Sequence, residues 1–321
     1  MILLTNLNDT TMNKTMRILM LLALALLLVP EEACAQKKKS KARKRTTTAV
    51  KTYPARDDAF LPDYQLQPIG DFTFGQWNLD YTVLPTPYFE GHVLKRDMKR
   101  PQVRLKQLSC TPNDITDDEA WFERIGATSN EYRFEGDPMG EDHVRFRIST
   151  NGYHVFFYGP TWGHAMKMII TDAAETKLYR AYDFANYMVS PGAVRANCLG
   201  ATQSLNDVII EGNIMYIVFA TNTYKESTKG ETGYIAAIDL RNDETIWTTQ
   251  PMTAGWKMAI EGNSIITGYG MTDEPDYVHV VDKYSGQRVQ RIWVKKSPSY
   301  VVIQGRKAYV RTYSFDYVFG F

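Results

Sequence analysis

The 321 residues carry a formal charge of +1, but the charge is uneven: residues 1–56 hold 11 Lys and Arg against 3 Asp and Glu, leaving 26 basic and 33 acidic residues in 57–321. A mildly acidic body with 12% aromatic residues has an ordinary soluble surface and gives no electrostatic case for nucleic-acid binding. Of three cysteines, only Cys110 and Cys198 lie beyond the first 35 residues, and two thiols cannot make a disulfide scaffold for a domain this size.

From the N-terminus, Lys14 and Arg17 precede an apolar run of twelve at 18–29 (ILMLLALALLLV), followed by Ala33-Cys34-Ala35. A charged n-region, a short apolar core and small residues at the cleavage positions read as a signal peptide over 1–35, with the mature chain beginning at Gln36. The run is too short to span a bilayer, which takes about 20 apolar residues. Cys34 invites a lipoprotein reading, but Glu31 stands where a lipobox has an aliphatic residue. Export to the periplasm or the extracellular space is the expectation. In an oxidising compartment, Cys110 and Cys198 are either joined or separately buried.

Next, residues 37–45 (KKKSKARKR) place seven basic residues in nine, from Lys37 to Arg45, and a Thr- and Pro-containing stretch follows. Such a block repels itself and has no large apolar residue to fold it, so 36–65 reads as a disordered tether. Weak contact with an anionic membrane surface is its functional reading, at about 1 kcal/mol per basic residue.

The body repeats. Strand-turn-strand units recur at 144–159, 207–221, 257–270 and 300–313, each pivoting on a turn glycine: Gly152, Gly212, Gly262 and Gly305, spaced 60, 50 and 43 apart. A second unit follows each of the first three, at 166–184, 234–250 and 277–294, and Asp172, Asp239 and Asp282 close its first strand. An Asp there accepts bonds from backbone N–H groups two residues on, so these aspartates read as structural. Hairpin plus hairpin makes a four-stranded antiparallel sheet. Repetition at 40–60 residues predicts an all-β fold, a β-propeller of four-stranded blades.

Ala237-Ile238-Asp239 with Trp247, and Val281-Asp282 with Ser285-Gly286, resemble the A-x-D-x-x-T-G-x-x-x-W repeat of quinoprotein-like propellers. The match is degenerate, with Asp243 in place of the motif glycine in one copy and Gln290 in place of the tryptophan in the next. The resemblance implies the fold and not pyrroloquinoline quinone: the enzymes that use it resemble eight-bladed rings with adjacent cysteines, which this chain lacks. No cofactor is expected.

If residues 66–321 form one ring at the observed spacing, they hold about five blades, with four to seven left open. The C-terminal DYVFGF supplies a third strand and leaves the fourth to be borrowed. Residues 72–84 (FTFGQWNLDYTVL) are the expected donor, with Trp77, Leu79, Tyr81 and Val83 on one face. Residues 85–143 fit the repeat poorly. Within them a short helix is expected at 116–124, with Thr116 as N-cap and Asp117 and Asp118 in its first turn.

In such a blade the first-to-second and third-to-fourth turns share one face, and here they are tight. The long, mixed segments (160–164, 184–206, 221–232, 251–256, 271–276 and 314–316) share the other, where ligands are expected. Candidate binding residues are Trp162, His164, Arg195, Asn197, Tyr224, Lys225, Glu226, Trp256, Glu274, Asp276 and Asp316. The five histidines show no metal-ligand spacing, and Asp273, Glu274 and Asp276 lack the pattern of a calcium loop. Two functions stand. One is a non-catalytic propeller binding a protein or glycan of the cell envelope; the other is an envelope hydrolase or lyase using His164 with an acidic partner.

Overall fold

A computed structural model describes residues 79–134, 143–271 and 274–321, apart from the side chains of His143 and Trp162. The expected signal peptide, the basic tether, residues 72–78 of the expected donor strand and Asp273 lie outside the described residues. No helix among the described residues is long and apolar enough to cross a membrane.

Three strands precede the repeats: β1 (Thr82–Val83), β2 (Lys106–Pro112) and β3 (Glu131–Arg133). Blade 1 comprises β4 (His143–Thr150), β5 (Tyr153–Gly159), β6 (Lys167–Asp172) and β7 (Leu178–Asp183). Blade 2 comprises β8 (Gln203–Glu211), β9 (Ile214–Thr221), β10 (Tyr234–Asp239) and β11 (Glu244–Thr248). Blade 3 follows with β12 (Met258–Glu261), β13 (Ser264–Tyr269), β14 (Asp276–Asp282) and β15 (Arg288–Val294). Blade 4 has β16 (Pro298–Gln304), β17 (Lys307–Thr312) and β18 (Phe315–Gly320). The described residues thus form four antiparallel blades in a propeller arrangement.

The hairpins close as the sequence requires. Gly212, Gly262 and Gly305 have φ of +57°, +55° and +58°, which L side chains adopt only with strain. Asp172 accepts from the N–H groups of Thr176 and Lys177, Asp239 from Arg241, and Asp282 from Tyr284 and Ser285. All three aspartates are turn formers.

Blade 4 is completed by β2, which pairs antiparallel with β18 from Phe315 opposite Pro112 to Gly320 opposite Lys106. This corrects the expected donor: the borrowed strand is 106–112, not 72–84. The described end of 72–84 instead gives β1, a parallel addition to the outer edge of β7. There Leu79 and Tyr81 pack on the apolar face of blade 1 while Val83 is exposed.

The chain between β1 and β2 is a strap over the blades. His92 bridges Thr248 of blade 2, Leu94 donates to the Ser285 carbonyl of blade 3, Val103 bonds the Ser264 hydroxyl, and Leu105 is held through both backbone groups by Gln290. Gln290, standing where the repeat has tryptophan, therefore binds the strap. Residues given to a strap cannot make a blade, and the described residues form four, within the expected range of four to seven.

Helix α1 (Asp118–Arg124) is capped by Asp117, not Thr116: its carboxylate accepts from the N–H groups of Glu119 and Ala120 at 3.2 and 3.4 Å. Trp121 and Phe122 pack on Tyr300 of blade 4, while β3 pairs with β4 of blade 1. Apolar side chains fill the spaces between blades 1 and 2, 2 and 3, and 3 and 4. Cys110 on β2 and Cys198 are unbonded here and both half-buried.

The degenerate repeat has a physical reading at the blade contacts. Trp247 of β11 is fully buried against Gly286 in the turn of blade 3; a Cβ there would lie 2.6 Å from Trp247 Cε3. One interface earlier, Asp243 takes the glycine's place at φ +58° and accepts from the Tyr182 hydroxyl at 2.5 Å. The polar turn is matched by a polar partner.

Candidate functional site: the axis and the long-loop face

The inner strands β4, β8, β12 and β16 run from the long-loop face to the tight-turn face. Four residues before the last residue of each stand Phe146, Asp207, Lys257 and Tyr300. In three of the strands the pairing register slips immediately before that residue, at 145, 206 and 299. A bulge re-aims the side chain that follows it, and here it brings the set to the axis.

Strand β3 enters this space beside β4. Glu131 forms an ion pair with Lys257, whose Nζ also lies 3.6 Å from Asp207 and donates to the Asn206 carbonyl at 3.1 Å. Arg133 binds the other oxygen of Glu131 at 2.6 Å. Asp207 accepts from the Met258 N–H at 2.8 Å, and the Lys257 ammonium lies 5.7 Å from the Phe146 ring centre. Beyond Tyr300, Asp118 joins the Tyr300 hydroxyl at 3.0 Å to Arg311 Nε at 2.9 Å. Two cavities flank the cluster: one of about 360 Å³ beside Asn130, Asn151 and Glu211, the other of about 200 Å³ beside Asn206 and Trp256.

Electrostatically the two carboxylates around Lys257 diverge. Burial pushes Asp207 up to about 6, only partly opposed by Lys257 and the Met258 N–H. Burial also acts upward on Glu131, but Lys257 and Arg133 outweigh it and hold that carboxyl below its usual range. The folded state therefore keeps a proton on Asp207 that the unfolded state has released between about pH 4 and 6, so this group's contribution to stability falls as pH rises through that window. Melting temperatures of the wild type and Asp207→Asn across pH 4–7 check this: the wild type should lose more stability with rising pH than the variant. Parallel curves would contradict it.

The eleven residues expected on the long-loop face do not converge on one point. Trp256 is half-buried in the smaller axial cavity. Asp316 is buried and tied to Arg124 at 2.7 Å, with burial raising its carboxyl, so it belongs to the α1 contact. Asp276 is buried at the start of β14, and burial pushes it up to about 6. Trp162 lies in a single 3₁₀ turn with His164, which is exposed and bonded through Nδ1 to the Thr161 hydroxyl at 2.5 Å. Among the described residues no carboxylate bonds His164.

The structure joins the others into two groups. Helices α2 (Ala185–Met188) and α3 (Pro191–Arg195) lie in the connection from blade 1 to blade 2, and α3 seats on the 3₁₀ turn Lys225–Thr228. Arg195 pairs with Glu231, which also accepts from the Gly192 N–H at 2.6 Å; Asn197, Tyr224 and Glu226 are exposed around this unit. Lys225 and Glu274 meet between blades 2 and 3, where the Lys225 N–H donates to Glu274 at 2.7 Å. They line a cavity of about 230 Å³ with Tyr269, Tyr277, His279, Arg288 and Arg291.

The sequence matches no protein-family model and no curated protein. Among solved structures it is similar to BamB from Moraxella catarrhalis, at 14% identity over 66% of this chain and 59% of that one, with a TM-score of 0.33. It is similar also to a europium-containing methanol dehydrogenase (12% identity, 53% of this chain and 28% of that one, TM-score 0.32) and to hydrazine synthase of Kuenenia stuttgartiensis (14%, 53% and 45%, 0.32). The chain thus spans less than two thirds of each of these proteins, and likeness at this level assigns no role to any residue.

Sequence reasoning missed Glu131, Asp207 and Lys257. A usable signal existed: Asp207 and Lys257 each stand five residues before a turn glycine, charged residues leading otherwise apolar strands. Glu131 carries no such mark, because β3 belongs to no repeat. Among the described residues no three His, Cys, Asp or Glu side chains come together as a metal site.

Proposed function

We propose that this is an exported, non-catalytic propeller whose partner is a protein of the cell envelope, docking on the long-loop face over blades 1 and 2. The observation that carries this reading is a shelf of exposed apolar side chains: Val189, Val194, Leu199 and Tyr224 are 38%, 58%, 61% and 47% exposed. They stand on two segments, 184–206 and 221–232, that are bolted together by the Glu231 contacts to Gly192 and Arg195. Single exposed apolar residues are ordinary, but several on one braced unit with a charged rim are a docking feature. Arg195, Lys225 and Glu226 supply the rim. Export rests on the N-terminal sequence pattern, and the quinoprotein-like kinship on Asp239 with Trp247 and Asp282 with Gly286.

The test is capture from envelope extract with the mature chain and with Val194→Asp/Leu199→Asp. The wild type should retain a partner that the variant loses by at least about tenfold, since burying an unpaired charge in an apolar contact costs more than 1.4 kcal/mol. Melting should fall by no more than about 4 °C, because two exposed substitutions move stability by about 0.5 kcal/mol or less each and 1 kcal/mol shifts a domain of this size by about 2–4 °C. Equal capture by both proteins would refute the shelf as the contact.

A further inference from the structure

From the cavity between blades 2 and 3 we infer a second binding site, for a small oxyanion that also carries a hydroxyl donor, the chemistry of a sugar acid. It goes beyond the docking shelf and does not depend on it.

Three features define the cavity chemically. Arg288 and Arg291 both line it, and neither has a carboxylate partner among the described residues. Arg288 makes only long bonds, at 3.3 Å, to the Met252 carbonyl and the Gln250 side chain; Arg291 lies over the Tyr277 ring with its guanidinium carbon 3.6 Å from the centroid. Burial, and then repulsion from the neighbouring Arg291 guanidinium, hold Arg288 below its usual range. An oxyanion between them removes that repulsion and uses the planar donor geometry of both.

The second feature is His279, fully buried in the wall. Its Nδ1 lies 2.8 Å from the Thr253 carbonyl, which can only accept, so Nδ1 carries the proton and Nε2 is a bare acceptor. Nε2 is buried and has no partner among the described residues. Burial, with the two arginines nearby, keeps the imidazole neutral down to about pH 3. A buried acceptor left unpaired costs free energy, so the site is completed by a donor from the ligand. An alcohol supplies one; a simple carboxylate does not.

Size and surroundings narrow the class. A volume of about 230 Å³ suits one sugar ring rather than a peptide or a nucleotide. Among the described residues one acidic side chain, Glu274, is in the lining, and its oxygens are engaged by the Lys225 N–H and by the Tyr269 hydroxyl at 3.1 Å. Trp293 faces Tyr277 directly across the β14–β15 pair, on the same sheet face as His279 and Arg291, and is 60% exposed. Its exposed indole continues that sheet face beyond the lining residues and offers a flat apolar surface to the C–H face of a sugar ring.

The experiment is calorimetric titration of the mature chain with glucuronate, glucose, acetate and inorganic phosphate at low ionic strength. Glucuronate should bind at least tenfold more tightly than glucose, which lacks the charge, and than acetate, which lacks the hydroxyl. Phosphate, which carries both, separates the sources: tighter binding of phosphate than of glucuronate would assign the site to phosphate, within the same oxyanion-plus-hydroxyl chemistry. Arg288→Gln and Arg291→Gln should each weaken binding about tenfold or more with melting retained, and His279→Gln should affect glucuronate more than acetate. Acetate or glucose binding as well as glucuronate, or arginine variants that bind like the wild type, would overturn the proposal.

Discussion

Lys257→Met should lower the stability of the folded chain by about 3–5 kcal/mol, the cost of leaving buried charges uncompensated. For a domain of this size that corresponds to a fall in melting temperature of roughly 6–20 °C. The ammonium is the one positive charge shared by Glu131 and Asp207, across strands that are far apart in sequence. Glu131 would keep Arg133, whereas Asp207 would keep the Met258 and Val208 N–H groups but no cation, against the repulsion of a second carboxylate. Asp207 should therefore carry most of the loss. Adding Asp207→Asn to Lys257→Met removes the stranded charge, so the double variant should recover part of the stability despite having one more substitution. Denaturant unfolding of the wild type, both single variants and the double variant measures the coupling directly. A loss under 1 kcal/mol for Lys257→Met, or strict additivity, would mean that the axial cluster is solvated and does not hold β3 in place.

The same cluster shows how far the sequence could be read. Units read at 207–221, 234–250, 257–270 and 277–294 correspond to β8–β9, β10–β11, β12–β13 and β14–β15 within a few residues. These strands are buried on both faces between blades, so their apolar runs are dense and their turns are marked by glycine or aspartate. Strand β2 was illegible for the opposite reason. It pairs on one side only, its residues KQLSCTP are largely exposed, and nothing in their pattern distinguishes an edge strand from a loop. The strap at 84–105 makes its contacts one at a time, through backbone groups and through Gln290, Gln287 and Ser264 side chains, so it too leaves no periodic trace.

The candidate site was legible in part for a related reason. Repeats tell which segments share a face, and they placed Lys225 with Glu274 and Arg195 with the 221–232 segment. They do not tell which strand faces build the walls beneath. His279, Arg288 and Arg291 lie on strands of blade 3, and they read as ordinary alternation until blade 2 is set against them. Asp316 shows the converse error: it was grouped with a rim because it follows a loop, while α1, which lies outside the repeats, buries it against Arg124 and Arg311.

Gly286→Val should destabilise by about 3–5 kcal/mol, and Gly286→Ala by somewhat less, because two independent costs meet at one Cα. The backbone there has φ +73°, a left-handed conformation that costs an L residue about 1–2 kcal/mol and a β-branched one more. The added carbon would also lie 2.6 Å from Trp247 Cε3 and 2.8 Å from Cδ2, inside a blade interface whose indole is fully buried, and overpacking of this kind costs about 1–3 kcal/mol. Asp243→Gly offers the contrast at the preceding interface. It relieves a non-glycine residue at φ +58° but removes the acceptor of the Tyr182 hydroxyl, so its net loss should be only about 1 kcal/mol. The two costs at Gly286 can be separated with Trp247→Leu, which opens space for the new Cβ without changing the backbone. In that background Gly286→Ala should retain the strain of the left-handed conformation and lose the clash, giving a smaller effect than in the wild type. If Gly286→Ala unfolds at the same urea concentration as the wild type, the contact between tryptophan and glycine does not fix blade 3 against blade 2, and the degenerate repeat has no structural consequence at Asp243 either.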